Sequence, residues 1–151
     1  MGNCHWIINM SFRLPIRVYI EDTDHGGIVY HAQYLHFLER ARTEFLRSLG
    51  FDKHALHDEK TIVVIHSLSI QYIRAAKLDQ LLDVDVVVKS VSKASLIFQQ
   101  QIYYQGELLV DAEVKLAFLD RYSERATRVP STIALALKPY IVNPVESQTS
   151  E

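Results

Sequence analysis

"EDTDHGGIVYHAQYLHFLERARTEFLRSLGF", Glu21 to Phe51, changes character partway along. It opens with acids, a histidine and paired glycines, then carries an apolar residue every three or four positions. Tyr34, Leu38, Ala41, Phe45 and Leu49 fall on one side at helical spacing, with Glu39, Arg40, Arg42 and Arg47 elsewhere. That spacing predicts a helix over 31–49. Gly50 followed by Phe51 is a helix stop, a left-handed cap with a hydrophobic residue after it. A surface turn accounts for Gly26 and Gly27. It does not account for Asp22, Asp24 and His25 leading straight into a helix start.

Upstream, "PIRVYI" (Pro15 to Ile20) alternates and is β-branched, as a strand is. Downstream come "TIVVIHSLSIQYI", "LLDVDVVVKSVS", "ASLIFQQQIYYQ" and "ELLVDAEVKLAFLD", long runs rich in Val, Ile and Tyr. Short polar breaks join them. Tyr104 to Glu107 is a hairpin turn around Gly106, Asp52 to Lys60 is a polar loop or short turn of helix with His54 and His57, and Pro130 opens a short terminal helix. An amphipathic helix and a large sheet each have a face to bury. The economical arrangement is one α+β domain, an antiparallel sheet wrapped around one long central helix. The sheet's other face and its edge strand then favour pairing with a second copy. On this reading residues 1–12 are an N-terminal extension, 13–141 the domain and 142–151 a loose tail.

Bulk properties exclude several classes. The 151 residues suit one domain with a real core. With 48% hydrophobic and 23% charged residues the chain has a globular composition, and a net charge of −2 gives no electrostatic footprint for nucleic acid. The one cysteine, Cys4, allows no intrachain disulfide and fits a reducing compartment. No apolar run approaches the roughly 18–20 residues that span a bilayer. The opening "MGNCHWIINM" has no basic n-region or cleavage site, and Trp6 stands where a myristoylation motif needs Ser or Thr. A cytoplasmic protein is expected.

Asp24, Gly26-Gly27, Ile28-Val29, Tyr30-His31 and Gln33-Tyr34 form an ordered series: an aspartate, a glycine turn, an apolar pair, an aromatic, then a helix carrying Gln with Tyr. With "RVYI" before it and "ERARTEFLRSLGF" after it, this series resembles the hotdog-fold acyl-CoA thioesterases of the 4-hydroxybenzoyl-CoA thioesterase type. It is most similar to the branch associated with the bacterial Tol-Pal envelope system. "SIQYIRAAKLDQLLDV" resembles the family's second characteristic stretch, and the likeness covers about residues 13–140. It departs at Tyr19-Ile20, where the branch often has a tyrosine pair; the second hydroxyl is absent.

The resemblance implies hydrolysis of an acyl-CoA to a carboxylic acid and free CoA. It makes Asp24 the catalytic carboxylate, as general base or as nucleophile through an anhydride, and His31 a second catalytic position. The chemistry suits these residues. Thioester hydrolysis needs an attacking oxygen and a group that stabilises charge on the carbonyl oxygen. A helix starting near His31 offers N–H groups without internal partners and the positive end of its dipole. Gly26, Gly27 and Tyr30 would position the substrate there.

For Asp22, beside Thr23, local capping is the expected role. Lys89, Ser92, Lys93 and Ser95 surround a strand junction where family members commonly hold CoA, and Arg74 and Lys77 are similar candidates. Asp22, Asp24, His25 and His31 match no metal-ligand spacing, so neither metal nor cofactor is called for. His25, His36, His54, His57 and His66 carry no role. The expected partners are acyl-CoA, or an acyl-carrier protein thioester, and further copies of the chain in a homodimer or homotetramer. A non-catalytic acyl-binding or scaffold module is the alternative class.

Overall fold

The computed structural model describes residues 11–52 and 58–142. Cys4, His54, His57 and most of the extension and the tail lie outside the described residues. Five strands form one antiparallel sheet: β1 (Phe12–Arg17), β2 (Thr61–Tyr72), β3 (Leu81–Val91), β4 (Ser95–Tyr104) and β5 (Glu107–Asp120). Their spatial order is β1-β3-β4-β5-β2. β1 and β2 are therefore the two edges.

β1 starts and stops earlier than Pro15 to Ile20. Pro15 sits inside it, opposite Asp83, which an edge strand tolerates because it has a side with no ladder bond to donate. Beyond Arg17 the chain turns, and Ile20–Asp22 winds into a short 3-10 turn. The other four strands lie where their Val- and Ile-rich runs sit. Alternation does the sorting: Leu82, Val84, Val86 and Val88 of β3 are fully buried, while Asp83, Asp85 and Val87 between them are half-buried on the outer face.

Helix α1 spans Gln33–Ser48, 16 residues, and is shorter than 31–49 at its start. There the Gln33 N–H goes to the Tyr30 carbonyl (2.8 Å), so the entry is a tight turn rather than α-helix. The stop is as expected. Gly50 has φ +95°, its N–H bonds Arg47, and the Phe51 N–H bonds Leu46, the two reverse bonds of a Schellman end. α1 packs on the inner face of the sheet through Tyr34, Phe37, Leu38, Ala41, Phe45 and Leu46. Phe45 meets the rings of Phe12, Phe98 and Tyr140 at centroid distances of 5.7, 6.3 and 5.4 Å. Truncating a core ring of this kind costs about 3–5 kcal/mol. A second helix, α2 (Ser131–Leu137), follows β5 and buries Ile133 and Leu137.

Arg42 breaks the pattern. Its spacing puts it off the apolar stripe, yet it is only 8% exposed. Its Nη1 donates to Gln100 Oε1 (2.9 Å), and Gln100 Nε2 donates to the Leu38 carbonyl (3.0 Å). Burial lowers the guanidinium pKa from its ordinary value. The reason is parity on β4: Gln100 shares the inward face with Phe98 and Ile102, and a buried amide needs partners.

The sheet has two ends. At one lie the end of β2, the starts of β3 and β5, and the start of α1. At the other lie the β3–β4 turn and the end of α1. The first end holds the site.

Candidate active site

Between β1 and α1 the chain makes a small closed loop. Thr23 bridges Val29 antiparallel, and the Asp24 N–H bonds the Ile28 carbonyl (2.9 Å). Inside it the Gly27 N–H bonds the Asp24 carbonyl (3.1 Å), and Asp24 Oδ1 accepts the Gly26 N–H (3.0 Å). Gly27 has φ +77°, a conformation that side chains rarely adopt, so the turn needs glycine there. Gly26 is different. A Cβ on it would meet Asp24 Oδ1 at 3.6 Å, an ordinary contact, so this fold alone does not demand glycine.

The loop is strapped down from two sides. The Val29 N–H bonds the Ala76 carbonyl (2.9 Å), and the Leu78 N–H bonds the Gly27 carbonyl (3.3 Å). The fully buried Ala76 also donates its N–H to the Tyr34 hydroxyl (2.9 Å) and so joins the loop to α1. Burial pushes the Tyr34 phenol pKa up, against the lowering effect of the Ala76 N–H, and the nearby Tyr72 and Asp24 charges add to the rise.

Asp22 and Asp24, two residues apart, have opposite surroundings. Asp22 is 2% exposed. Its carboxylate accepts the Tyr19 N–H (2.8 Å) and the Gln33 side-chain amide (2.9 Å), and its own carbonyl accepts the Tyr30 N–H (2.9 Å). Both of its oxygens are used in tying the loop's entry to the helix start. Asp24 is exposed, and among the described residues its Oδ2 has no hydrogen-bond donor. One of the two is committed to structure and the other is available.

The helix start is bare. Ala32, the N-cap, offers no side-chain cap, and the first turn of α1 holds no acid. Among the described residues the N–H groups of His31 and Ala32 make no hydrogen bond. Such a terminus attracts negative charge. The His31 side chain is exposed and lies against the Tyr30 ring (4.5 Å between centroids). Ile20, where the resembling branch often has tyrosine, is 75% exposed.

Asp24, Gly26, Gly27, Tyr30 and His31 thus lie within one loop and the helix entry it feeds. Arg74 and Lys77 border a neighbouring cleft of about 400 Å³ with Gln80, Tyr104 and Leu109, and Arg74 pairs with Glu107 (3.0 Å). Lys89, Ser92 and Lys93 are not brought there in this chain. They lie toward the far end of β3 and in the β3–β4 turn, and Lys89 pairs with Glu113 (2.6 Å). From Leu81 to Lys89 the strand runs roughly 26 Å at ~3.3 Å per residue. Tyr72, which sequence spacing does not single out, donates its hydroxyl to the His31 carbonyl (2.9 Å). Among the described residues no group of three or more His, Cys, Asp or Glu side chains converges as a metal site requires. No helix among them is long and apolar enough to cross a membrane.

Comparison with known proteins adds a family to this geometry. Residues 18–137 match the Thioesterase-like superfamily. The acyl-CoA thioesterase YbgC of Haemophilus influenzae is 43% identical over 131 residues, covering 86% of this chain and 96% of that protein. The acyl-CoA thioester hydrolase YbgC of Escherichia coli O6:H1 is 40% identical over 128 residues, 84% of this chain and 96% of that one. A probable thioesterase from Bartonella henselae superposes with a TM-score of 0.74 at 35% identity, covering 80% of this chain and 99% of that chain. With the bare helix start, the adjoining aspartate and the sheet order all in place, the chain belongs to the thioesterase-like superfamily and has the hotdog thioesterase fold.

Proposed function

We propose that this chain hydrolyses acyl-CoA thioesters to a carboxylic acid and free CoA. One observation carries the chemistry. An aspartate with a free carboxylate oxygen and a helix terminus with free N–H groups are held in one short, strapped segment. The family relationship supports the substrate class. In the general-base route Asp24 takes a proton from water as the oxygen attacks the thioester carbon. The carbonyl oxygen becomes an oxyanion, stabilised by the N–H groups of His31 and Ala32. Collapse breaks the C–S bond, and the thiolate recovers the proton from Asp24 to leave as CoA thiol. In the nucleophilic route Asp24 attacks the carbon itself, the C–S bond breaks and CoA leaves as thiolate. Water then opens the resulting anhydride, releasing the acid and the Asp24 carboxylate, and its proton makes the thiolate a thiol. Both routes need Asp24 ionised and the helix start uncapped.

The reading extends to assembly and location. The open edge of β2 carries the exposed side chains of Val64, Ile65 and Leu68, 36–51% accessible, an apolar strip that a second copy would cover. Two clefts, of about 240 and 180 Å³, run between this strand and α1 and share Ile65, Glu39 and Arg42. A homodimer or homotetramer is therefore proposed, with the sheet curving around α1 as the central helix. Any contact of Lys89, Ser92 or Lys93 with CoA would then come from another copy. Acyl-CoA as substrate suits a cytoplasmic enzyme. The test is thiol release from short, long and aromatic acyl-CoAs and from acyl-carrier protein thioesters. Steady turnover of an acyl-CoA supports the proposal. Preference for the carrier protein would move the substrate, and binding without turnover would make the chain an acyl-binding module.

A further inference from the structure

The first turn of α1 is wound more tightly than an α-helix. The Gln33 N–H bonds Tyr30 (2.8 Å) and the Leu35 N–H bonds Ala32 (3.2 Å), each three residues back. In an α-helix the Leu35 N–H would take the His31 carbonyl. Here that carbonyl is left outside the ladder, and among the described residues its hydrogen-bond partner is the Tyr72 hydroxyl, 2.9 Å away.

Tyr72 is well placed to hold it. It ends β2, opposite Val110, and the next two N–H groups, of Ile73 and Arg74, both go to the Leu109 carbonyl (2.8 and 3.1 Å). Its ring meets the buried Tyr34 ring edge-on at 5.4 Å, and Tyr34 is itself tied to Ala76. Strand and ring together aim the hydroxyl.

A peptide unit is planar, and in the trans form its C=O and N–H point in opposite directions. Whatever fixes the His31 carbonyl therefore fixes the Ala32 N–H. The preceding peptide is fixed separately, because the Tyr30 carbonyl is held by Gln33 and this sets the His31 N–H. Of these N–H groups, that of His31 is thus oriented locally. That of Ala32 is oriented by a contact that crosses 41 residues of sequence.

We infer that Tyr72 is a positioning residue: its hydroxyl, by holding the His31 carbonyl, aims the Ala32 N–H at the thioester carbonyl oxygen. The inference rests on the thioesterase reading above. A hydroxyl on a side chain that is 47% exposed adds little to folding, so its effect falls on geometry.

Tyr72→Phe keeps the ring and its packing on Tyr34 while deleting the donor. The expected kcat is lower by between about 10- and 100-fold, with KM within about threefold. Tm should stay within about 2 °C, with the oligomeric state unchanged. In nuclear magnetic resonance spectra the Ala32 amide should shift more than the amides of the 24–28 loop. Native turnover with an unchanged Tyr72→Phe kcat overturns this inference alone. So does a fall in kcat with the Ala32 amide unmoved. No thiol release by the native chain overturns the thioesterase reading and this inference with it.

Discussion

Asp22 and Asp24 look interchangeable in sequence and are opposite in the structure. Asp22 lies buried with both oxygens accepting, from a backbone N–H and from the Gln33 amide. Asn at this position can keep one acceptor and turn its amide toward Gln33, which can flip to accept. Asp22→Asn should therefore hold kcat within a few-fold and stability within about 1 kcal/mol. Asp22→Ala leaves two part-buried donors, the Tyr19 N–H and the Gln33 amide, without partners and should destabilise by roughly 2–3 kcal/mol. In thermal melts that is a fall in Tm on the order of 5–10 °C. Equal melting temperatures for the two variants would show that the tie between loop and helix carries no weight. The division of labour was partly legible, because Asp beside Thr favours local capping. The identity of the donors was not, since Gln33 is eleven residues away and reaches Asp22 only once the loop closes.

The strands were legible because their periodicity is local. β2 to β5 lie on the Val- and Ile-rich runs, and the Gly50-Phe51 stop forms as its residues dictate. Where a long-range contact decides, periodicity fails. Arg42 is buried because Gln100, 58 positions on, needs a partner. Alternation alone could have flagged Gln100, flanked at two-residue spacing by Phe98 and Ile102. Nothing on α1 itself marks Arg42. The β2–β5 pair also carries an acid-sensitive end. Asp58 Oδ1 accepts the N–H groups of Lys60 and Thr61, and Asp120 Oδ1 those of Ser123 and Tyr122. These donors hold both carboxyls below the usual carboxylate range. The folded pKa values thus lie below the unfolded value of about 3.9. As pH falls through that window the unfolded chain binds more protons, so stability is present above it and lost below it. Thermal melts should be flat from pH 7 to about 5 and fall beneath about 4. The double variant Asp58→Asn, Asp120→Asn keeps the acceptors without the titration, and its acid slope should be shallower. An identical slope would remove these turns as the source.

At the scale of the whole molecule, the open edge of β2 and its apolar strip are exposed among the described residues. A chain of 17.4 kDa should therefore sediment at micromolar concentration as a dimer or tetramer. Leu68→Lys with Ile65→Lys should shift it toward monomer and reduce turnover together. A fully active 17.4 kDa species would contradict the proposed assembly. The sequence bears on assembly only through an argument about unpaired edges, because a single sequence carries no record of which edge meets which.

At the centre of the account is the claim that Asp24 performs the chemistry and the helix start assists it. The direct measurement is steady-state thiol release by the native chain and by Asp24→Asn, with an acyl-CoA that the native chain turns over. Asn keeps the shape and can still accept the Gly26 N–H, but it cannot take a proton from water or form an anhydride. The account predicts a kcat lower by about 10²–10⁴, KM within a few-fold and Tm within a few degrees. Near-normal turnover by Asp24→Asn would contradict it.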